Sequence, residues 1–393
     1  MKRFCLIILL ILALLCGCCG CGQKGASGSG RQLKIGALFT DKANATGVSH
    51  FHLLGLQKAA ESLKLAEPLC KYNITDVSFD ASEPVTAVET TKPDETTSQP
   101  EPESYTAEDG EVIIRGVPIQ EPMPESGVSA AADLIAQGCN VIVATDPVYD
   151  ELTAFLAQEF KKVTFLQYRG THTDLKNLQS FSDELYEAFY LAGAVAGSES
   201  VKQIGFTARK GDADETDCIN AFALGAAKTN PDAAICVRMT HVDFDLYLER
   251  TVPLELIGKD KCTLLAQSVF TALPLSVAAG TDSEDDRKPL PCIGFGYDMQ
   301  ADGGEKYLCS VVYHFDAYYA QALQALRDGK FDASPYTGGV GDGVVGLSAL
   351  QNASEKTKAS VQKLTDEFKN GTLHPLEGFT PEKNGYAANV TVR

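Results

Sequence analysis

The sequence predicts an α/β protein of two lobes, each built on a mostly parallel sheet buried on both faces. Three observations carry this expectation. Apolar runs of four to seven residues alternate with stretches of helical periodicity from Leu33 onward. The alternation starts afresh after a long helical stretch, Asp183 to Gly197. The length, 393 residues, allows about two domains.

The elements follow in order. LKIGALF from Leu33 reads as a strand and HFHLLGLQKAAESL as the helix after it. NVIVAT, VYDELTAFLAQEF and VTFLQY continue the strand, helix, strand pattern of the first lobe. The second lobe reads KQIGFTA, ETDCINAFALGAAKT, AAICVRM, a helix through Leu254, CTLLAQ and CIGFGY. In the tail, Leu308–Tyr313 and Gly343–Ser348 read as strands, and 314–328 and Glu355–Lys369 as helices. These extra elements require more than one passage between lobes, and the helix over 314–328 can return to the first. The organisation is therefore lobe 1 over 32–180, lobe 2 over 181–300, and crossing and closing elements over 301–393. Open α/β sheets bind ligands beyond the carboxyl ends of their strands, so two facing lobes place a site in the cleft between them.

Two segments lie outside this pattern. Met1-Lys2-Arg3 precedes an apolar run, Phe4–Leu15, with six Leu and three Ile. Twelve helical residues rise only about 18 Å, short of a bilayer core of ~30 Å, so residues 1–17 read as a cleaved signal peptide. Leu15-Cys16-Gly17-Cys18 resembles a bacterial lipobox, making Cys18 the lipidation site and the Gly/Ser-rich stretch through Arg31 a tether (18–31). The second segment, 80–125, carries twelve acids against two bases among Pro, Thr and Ser, and reads as a disordered insertion.

Composition narrows the function. With 44% hydrophobic and 22% charged residues, the chain is neither wholly disordered, collagen-like nor a polytopic membrane protein. A net charge of −18 is the wrong sign for attraction to a phosphate backbone, which excludes nucleic acid as a partner. Seven cysteines follow the tether, an odd number at irregular spacing, and read as small buried hydrophobes without a disulfide framework.

The motifs of catalysis fail on context. Gly341-Asp342-Gly343-Val344-Val345-Gly346 fits the dinucleotide fingerprint in letters, yet it follows a turn and runs into a strand. His50-x-His52 lacks further ligands at metal spacing. Neither G-x-S-x-G nor H-E-x-x-H occurs. No cofactor, metal or catalytic residue is expected.

Three stretches together resemble the BMP family of substrate-binding lipoproteins, the basic membrane protein or purine-nucleoside receptor type that serves ABC importers. They are Gly47-Val48-Ser49-His50-Phe51-His52 with Gly55; Gly205-Phe206-Thr207-Ala208 with Asn220–Ala226 and Asn230-Pro231; and Ile293–Met299 with Ser310-Val311-Val312, Tyr318-Tyr319 and Gly329. The resemblance implies a type I periplasmic-binding-protein-like fold, two Rossmann-like lobes joined by three crossings. It implies a small, nucleoside-like ligand with its base on aromatic rings and its ribose on carboxylates, an ABC permease partner, and attachment to the outer face of a bacterial cell membrane.

On that pattern Asp298 is the first candidate ligand residue. Asp41, Ser49 and His50 stand near the mouth of the first strand, Asp146 and Tyr149 follow NVIVAT, Phe206 lies on a lobe-two strand and Tyr313 ends its strand. The chain departs from the family at Val48, where an aromatic is usual, and at the turn Arg209-Lys210-Gly211-Asp212. Arg209 and Lys210 can face the cleft, which suits a more polar ligand. The alternatives are a sensory receptor of the same fold and a nucleoside-processing α/β enzyme, the latter requiring a clustered carboxylate or metal site.

Overall fold

Short aliphatic and β-branched runs bounded by turns become strands, and in this computed structural model they assemble into two large sheets. The structure describes residues 31–42, 47–79, 126–199, 203–281, 288–382 and 384–393, with two short strands at 105–106 and 112–113. The run Phe4–Leu15, Cys18, the tether through residue 30 and the rest of the 80–125 stretch lie outside the described residues.

The first lobe opens with β1 (Ile35–Leu38), α1 (Val48–Ser62) and β2 (Leu69–Lys71). Within the acidic stretch, β3 (Tyr105–Thr106) and β4 (Val112–Ile113) pair antiparallel. Then come α2 (Gly127–Ala136), β5 (Val141–Ala144), α3 (Asp150–Glu159), β6 (Thr164–Tyr168) and β7 (Leu178–Asp183). The second lobe holds α4 (Leu185–Ser198), β8 (Gln203–Ala208), α5 (Ala213–Thr229), β9 (Ala234–Met239), α6 (Leu246–Gly258) and β10 (Leu264–Gln267). It continues with α7 (Leu273–Ala279), β11 (Cys292–Gly296), α8 (Gln300–Gly303) and β12 (Tyr307–Tyr313). The tail supplies α9 (Phe315–Arg327), β13 (Tyr336–Gly338), β14 (Val345–Leu347), α10 (Glu355–Lys369) and β15 (Val390–Val392).

The first sheet has the order β13-β7-β6-β5-β1-β2 and is parallel throughout. The second has the order β14-β12-β11-β10-β8-β9-β15, parallel except where β14 runs against β12. Every residue of β1, β5, β6, β10 and β11 is buried, as a parallel sheet covered by helices on both faces demands. The chain passes between sheets three times: from β7 to α4, from β12 to α9, and from β13 to β14. Helix α9 packs on α1 of the first lobe, with the His52 ring stacked on Phe315 at 3.8 Å. This is the type I periplasmic-binding-protein-like arrangement.

Sequence explains where helices start. Ser126, Asp212, Asp245 and Ser354 each accept a backbone N–H from the first turn of α2, α5, α6 and α10. Among the described residues the closest helix contact joins α4 to α5. A Cβ on Gly193 would stand 1.9 Å from the Phe222 carbonyl oxygen, and one on Gly225 2.0 Å from that of Tyr190. Only glycine lets the two backbones meet, and their contact sets where the start of α5 points. The seven cysteines from Cys70 to Cys309 are free, six of them buried.

Two readings of the sequence shift. The boundary at 180/181 falls inside β7, whose pattern LQSFSD has too few apolar residues to read as a strand. Helix α6 continues past Leu254 to Gly258 with Pro253 inside it.

Candidate functional site

The carboxyl ends of strands from both sheets converge on one cavity of about 230 Å³. From the first lobe come Val48 at the start of α1, Thr145 and Asp146 after β5, Tyr168 ending β6 with Arg169 after it, and Asp183 closing β7. From the second come Arg209 after β8, Ser268 after β10, Phe295 on β11, Tyr313 ending β12, and residues on α4 and at the start of α5. That is the location the topology of open α/β sheets dictates.

On the first-lobe side the polar groups are held in place. Gln167 donates from Nε2 to the Asp146 carbonyl at 2.8 Å and accepts from Thr153 Oγ1 at 3.0 Å, fixing the turn after β5. Asp146 itself accepts the Val148 N–H at 2.9 Å. Tyr168 donates its hydroxyl to Asp183 Oδ2 at 2.6 Å, and burial beside that carboxylate holds the phenol well above its usual range. Asp183 also accepts the Leu185 N–H at 3.2 Å, so one buried carboxylate ties β6, β7 and the first crossing together. Arg169 stands at φ 51°, lies 5.2 Å over the Tyr168 ring, and reaches across the cleft to Asp214 on α5.

On the second-lobe side, Glu215 accepts the backbone N–H groups of Arg209 and Gly211 at 2.8 and 2.7 Å, together with the Ser268 hydroxyl. Arg209 lies over the Phe270 ring at 4.7 Å with Nε 3.4 Å from Glu215. Asp212 caps α5, and Asp214 and Glu215 occupy its first turn, so the dipole end that usually attracts an anion already faces carboxylates. Burial, with Asp214 nearby, raises the Asp217 carboxyl. Burial likewise pushes the Cys218 thiol far up, leaving it an inert part of the wall. The cavity is lined by six carboxylates (Asp146, Asp183, Asp212, Asp214, Glu215, Asp217), two guanidiniums (Arg169, Arg209) and the rings of Tyr168, Tyr186, Phe189, Phe295 and Tyr313.

The candidates named from sequence separate. Asp146 and Tyr313 line this cavity, as do Val48 and Arg209. Asp298 lines a second cavity of about 260 Å³ that also touches Tyr313; its carboxylate accepts the Tyr307 hydroxyl at 2.7 Å. Tyr149 and Phe206 are fully buried in the core, the former donating its hydroxyl to the Ile74 carbonyl at 2.8 Å. Ser49 is buried in the first turn of α1, while His50 and the exposed Asp41 do not line the cavity. Lys210 pairs with Asp243 outside it. The residues missed, Arg169 and Asp183 foremost, sit at strand ends: Arg169 follows VTFLQY directly, and Asp183 closes β7, whose pattern does not read as a strand.

Among the described residues no cluster of His, Cys, Asp and Glu could hold a metal ion, and no helix is long and apolar enough to cross a membrane.

The family Bmp, described as "ABC transporter substrate-binding protein PnrA-like", matches residues 71–373. A Haloferax volcanii protein that bears the name of an ABC transporter glucose-binding protein, TsgA13, is 29% identical over 62% of this chain; the chain spans 61% of that relative's length. A Brucella abortus protein named as purine-binding is 25% identical, over 63% of this chain and 69% of its own. In structure, a solute-binding protein of an ABC transporter system from Conexibacter woesei matches with a TM-score of 0.63 at 15% identity, covering 87% of this chain and 98% of that one.

Proposed function

Because the chain belongs to the Bmp family, ABC-transporter substrate-binding proteins of the PnrA-like type, we propose that it captures one small solute between its lobes and delivers it to an ABC permease. The observation that carries this reading is the convergence of strand ends from both lobes on one cavity, since a solute held there touches both halves and favours their closure. No reaction is catalysed.

The lining points to the solute's chemistry. Carboxylates accept hydrogen bonds from hydroxyl groups and guanidiniums donate to ring nitrogens and carbonyls, while aromatic faces suit a flat ring. Six acids against two bases repel an anion. The reading is therefore an uncharged nucleoside-like solute, with Asp146 facing its hydroxyls and Tyr313 or Phe295 its base. The names of the two relatives, one purine-binding and one glucose-binding, are compatible with a solute that joins a base to a sugar. Cys18 carries the lipid that keeps the body at the outer face of the membrane.

The test is a thermal-shift screen of nucleosides, bases, sugars and nucleoside 5′-monophosphates. Solute at 100 times its dissociation constant adds about 2.7 kcal/mol of stability. A nucleoside should raise the melting temperature and its monophosphate should not. Equal shifts would sink the charge argument, and a screen in which no solute acts, with turnover of any of them detected, would replace the receptor by an enzyme.

A further inference from the structure

A wall of aromatic rings divides the space between the lobes. Phe51, on α1 of the first lobe, lies against Gly296 at the end of β11 in the second. Gly296 has φ +97°, and a Cβ there would stand 2.3 Å from Phe51 Cζ, so the position requires glycine for both its backbone and its space. The Phe51 ring stacks on Tyr313 with centroids 5.3 Å apart and meets Phe270 at 6.2 Å; Tyr313 in turn meets Phe295 edge-on at 5.9 Å. The cavity of about 230 Å³ reaches this wall through Tyr313 and Phe295, and the cavity of about 260 Å³ through Tyr313, Phe51 and Gly296. Tyr313 is common to the two linings, and Phe51 is the ring behind it.

We infer that Phe51 is a specificity-determining residue: stacked behind Tyr313, the ring common to both linings, it holds the partition that confines the solute to the acidic chamber and excludes solutes extended by a further ring beyond the nucleoside or sugar unit. The inference rests on the solute-binding reading above. The chamber behind the partition is polar on its far side, with Lys58, Asp298, Asp316 and Ser348, which suits an uncharged, hydroxyl-bearing or aromatic extension of the same solute. Phe51 is only 4% exposed, so its ring is clamped between lobes and cannot yield to a larger ligand without removal or opening.

Calorimetric titration of the full protein and of its Phe51→Ala and Phe51→Leu variants tests this, with adenosine and glucose as compact probes and N6-benzyladenosine and maltose as their extended counterparts. The unaltered protein should bind a compact probe and reject its counterpart. In Phe51→Ala the ratio of extended to compact affinity should rise at least roughly tenfold, with Phe51→Leu between the two. A ratio is chosen because general loosening of the fold weakens both probes alike. If Phe51→Ala does not fold, Phe51→Leu decides on the same ratio. An unchanged ratio in a variant that still binds the compact probe overturns the partition alone. Absence of binding by the unaltered protein to all four probes overturns the solute-binding reading for these classes, and the partition with it.

Discussion

The contact between α4 and α5 gives a prediction whose size and sign follow from geometry. Gly225→Ala places a methyl group at a point 2.0 Å from the Tyr190 carbonyl oxygen and 2.9 Å from its carbon. An ordinary contact needs about 3.5 Å or more, so α5 must retreat by roughly 1.5 Å. Overpacking of this kind costs about 1 to 3 kcal/mol. Because the start of α5 supplies Asp212, Asp214 and Glu215 to the cavity, the retreat also displaces the binding wall. The control is Gly258→Ala, at the end of α6, where a Cβ meets nothing within 4 Å; there the same change should stabilise by about 0.5 to 1 kcal/mol through reduced chain entropy. Urea denaturation of the two variants gives both numbers, and solute titration of Gly225→Ala gives the second effect. Equal stability changes of the same sign in both variants would refute the reasoning.

Two further predictions concern charge. Arg169 and Asp214 join the lobes, but the Asp214 side chain is 67% exposed, so the pair is worth only about 0.2 to 1 kcal/mol. Asp214→Asn should therefore weaken solute affinity roughly 1.4- to 5-fold, less at high salt; a loss beyond about tenfold would mean that Asp214 touches the solute itself. His52 is buried among aromatic rings with Nδ1 2.8 Å from the Tyr319 hydroxyl, and burial, aided by Arg169, holds its pKa well below 6.5. Below pH 6.5 the unfolded chain binds a proton that the fold refuses, so stability falls by up to about 1.4 kcal/mol per pH unit. Glu187, pushed up to about 7 chiefly by burial, keeps its proton in the fold above about 4.5 and acts in the opposite sense as pH falls from 7. His52→Gln removes only the first effect, so denaturation series from pH 7 to 5 should show the variant gaining stability relative to the unaltered protein. Parallel curves would contradict this assignment.

The parts of the architecture that were legible in the sequence are those in which burial on both faces leaves an uninterrupted apolar run. VIVA in β5 and CIGF in β11 have no polar alternative. Strand β7 was not legible, because Gln179, Ser180 and Ser182 break the pattern while their side chains bond to neighbouring backbone or hydroxyl groups: Gln179 to the Asp332 and Ser334 carbonyls, Ser180 to Gly170, Ser182 to Thr337. With β7 went Asp183 and the first crossing. Asp146 could be placed because it follows a recognisable strand end. Tyr149, three residues further, turns inward because a 3-10 turn rotates it onto Ile74, a rotation that spacing alone does not disclose. Asp298 lines a different cavity, the one that also holds the contact between Phe51 and Gly296, residues 245 positions apart in the chain.

The account stands most directly on whether a solute draws the two lobes together. Small-angle X-ray scattering of the protein with and without a solute that calorimetry shows to bind decides it: the radius of gyration should fall at saturation. Saturable binding that leaves the scattering curve unchanged would contradict a clamp formed by both lobes.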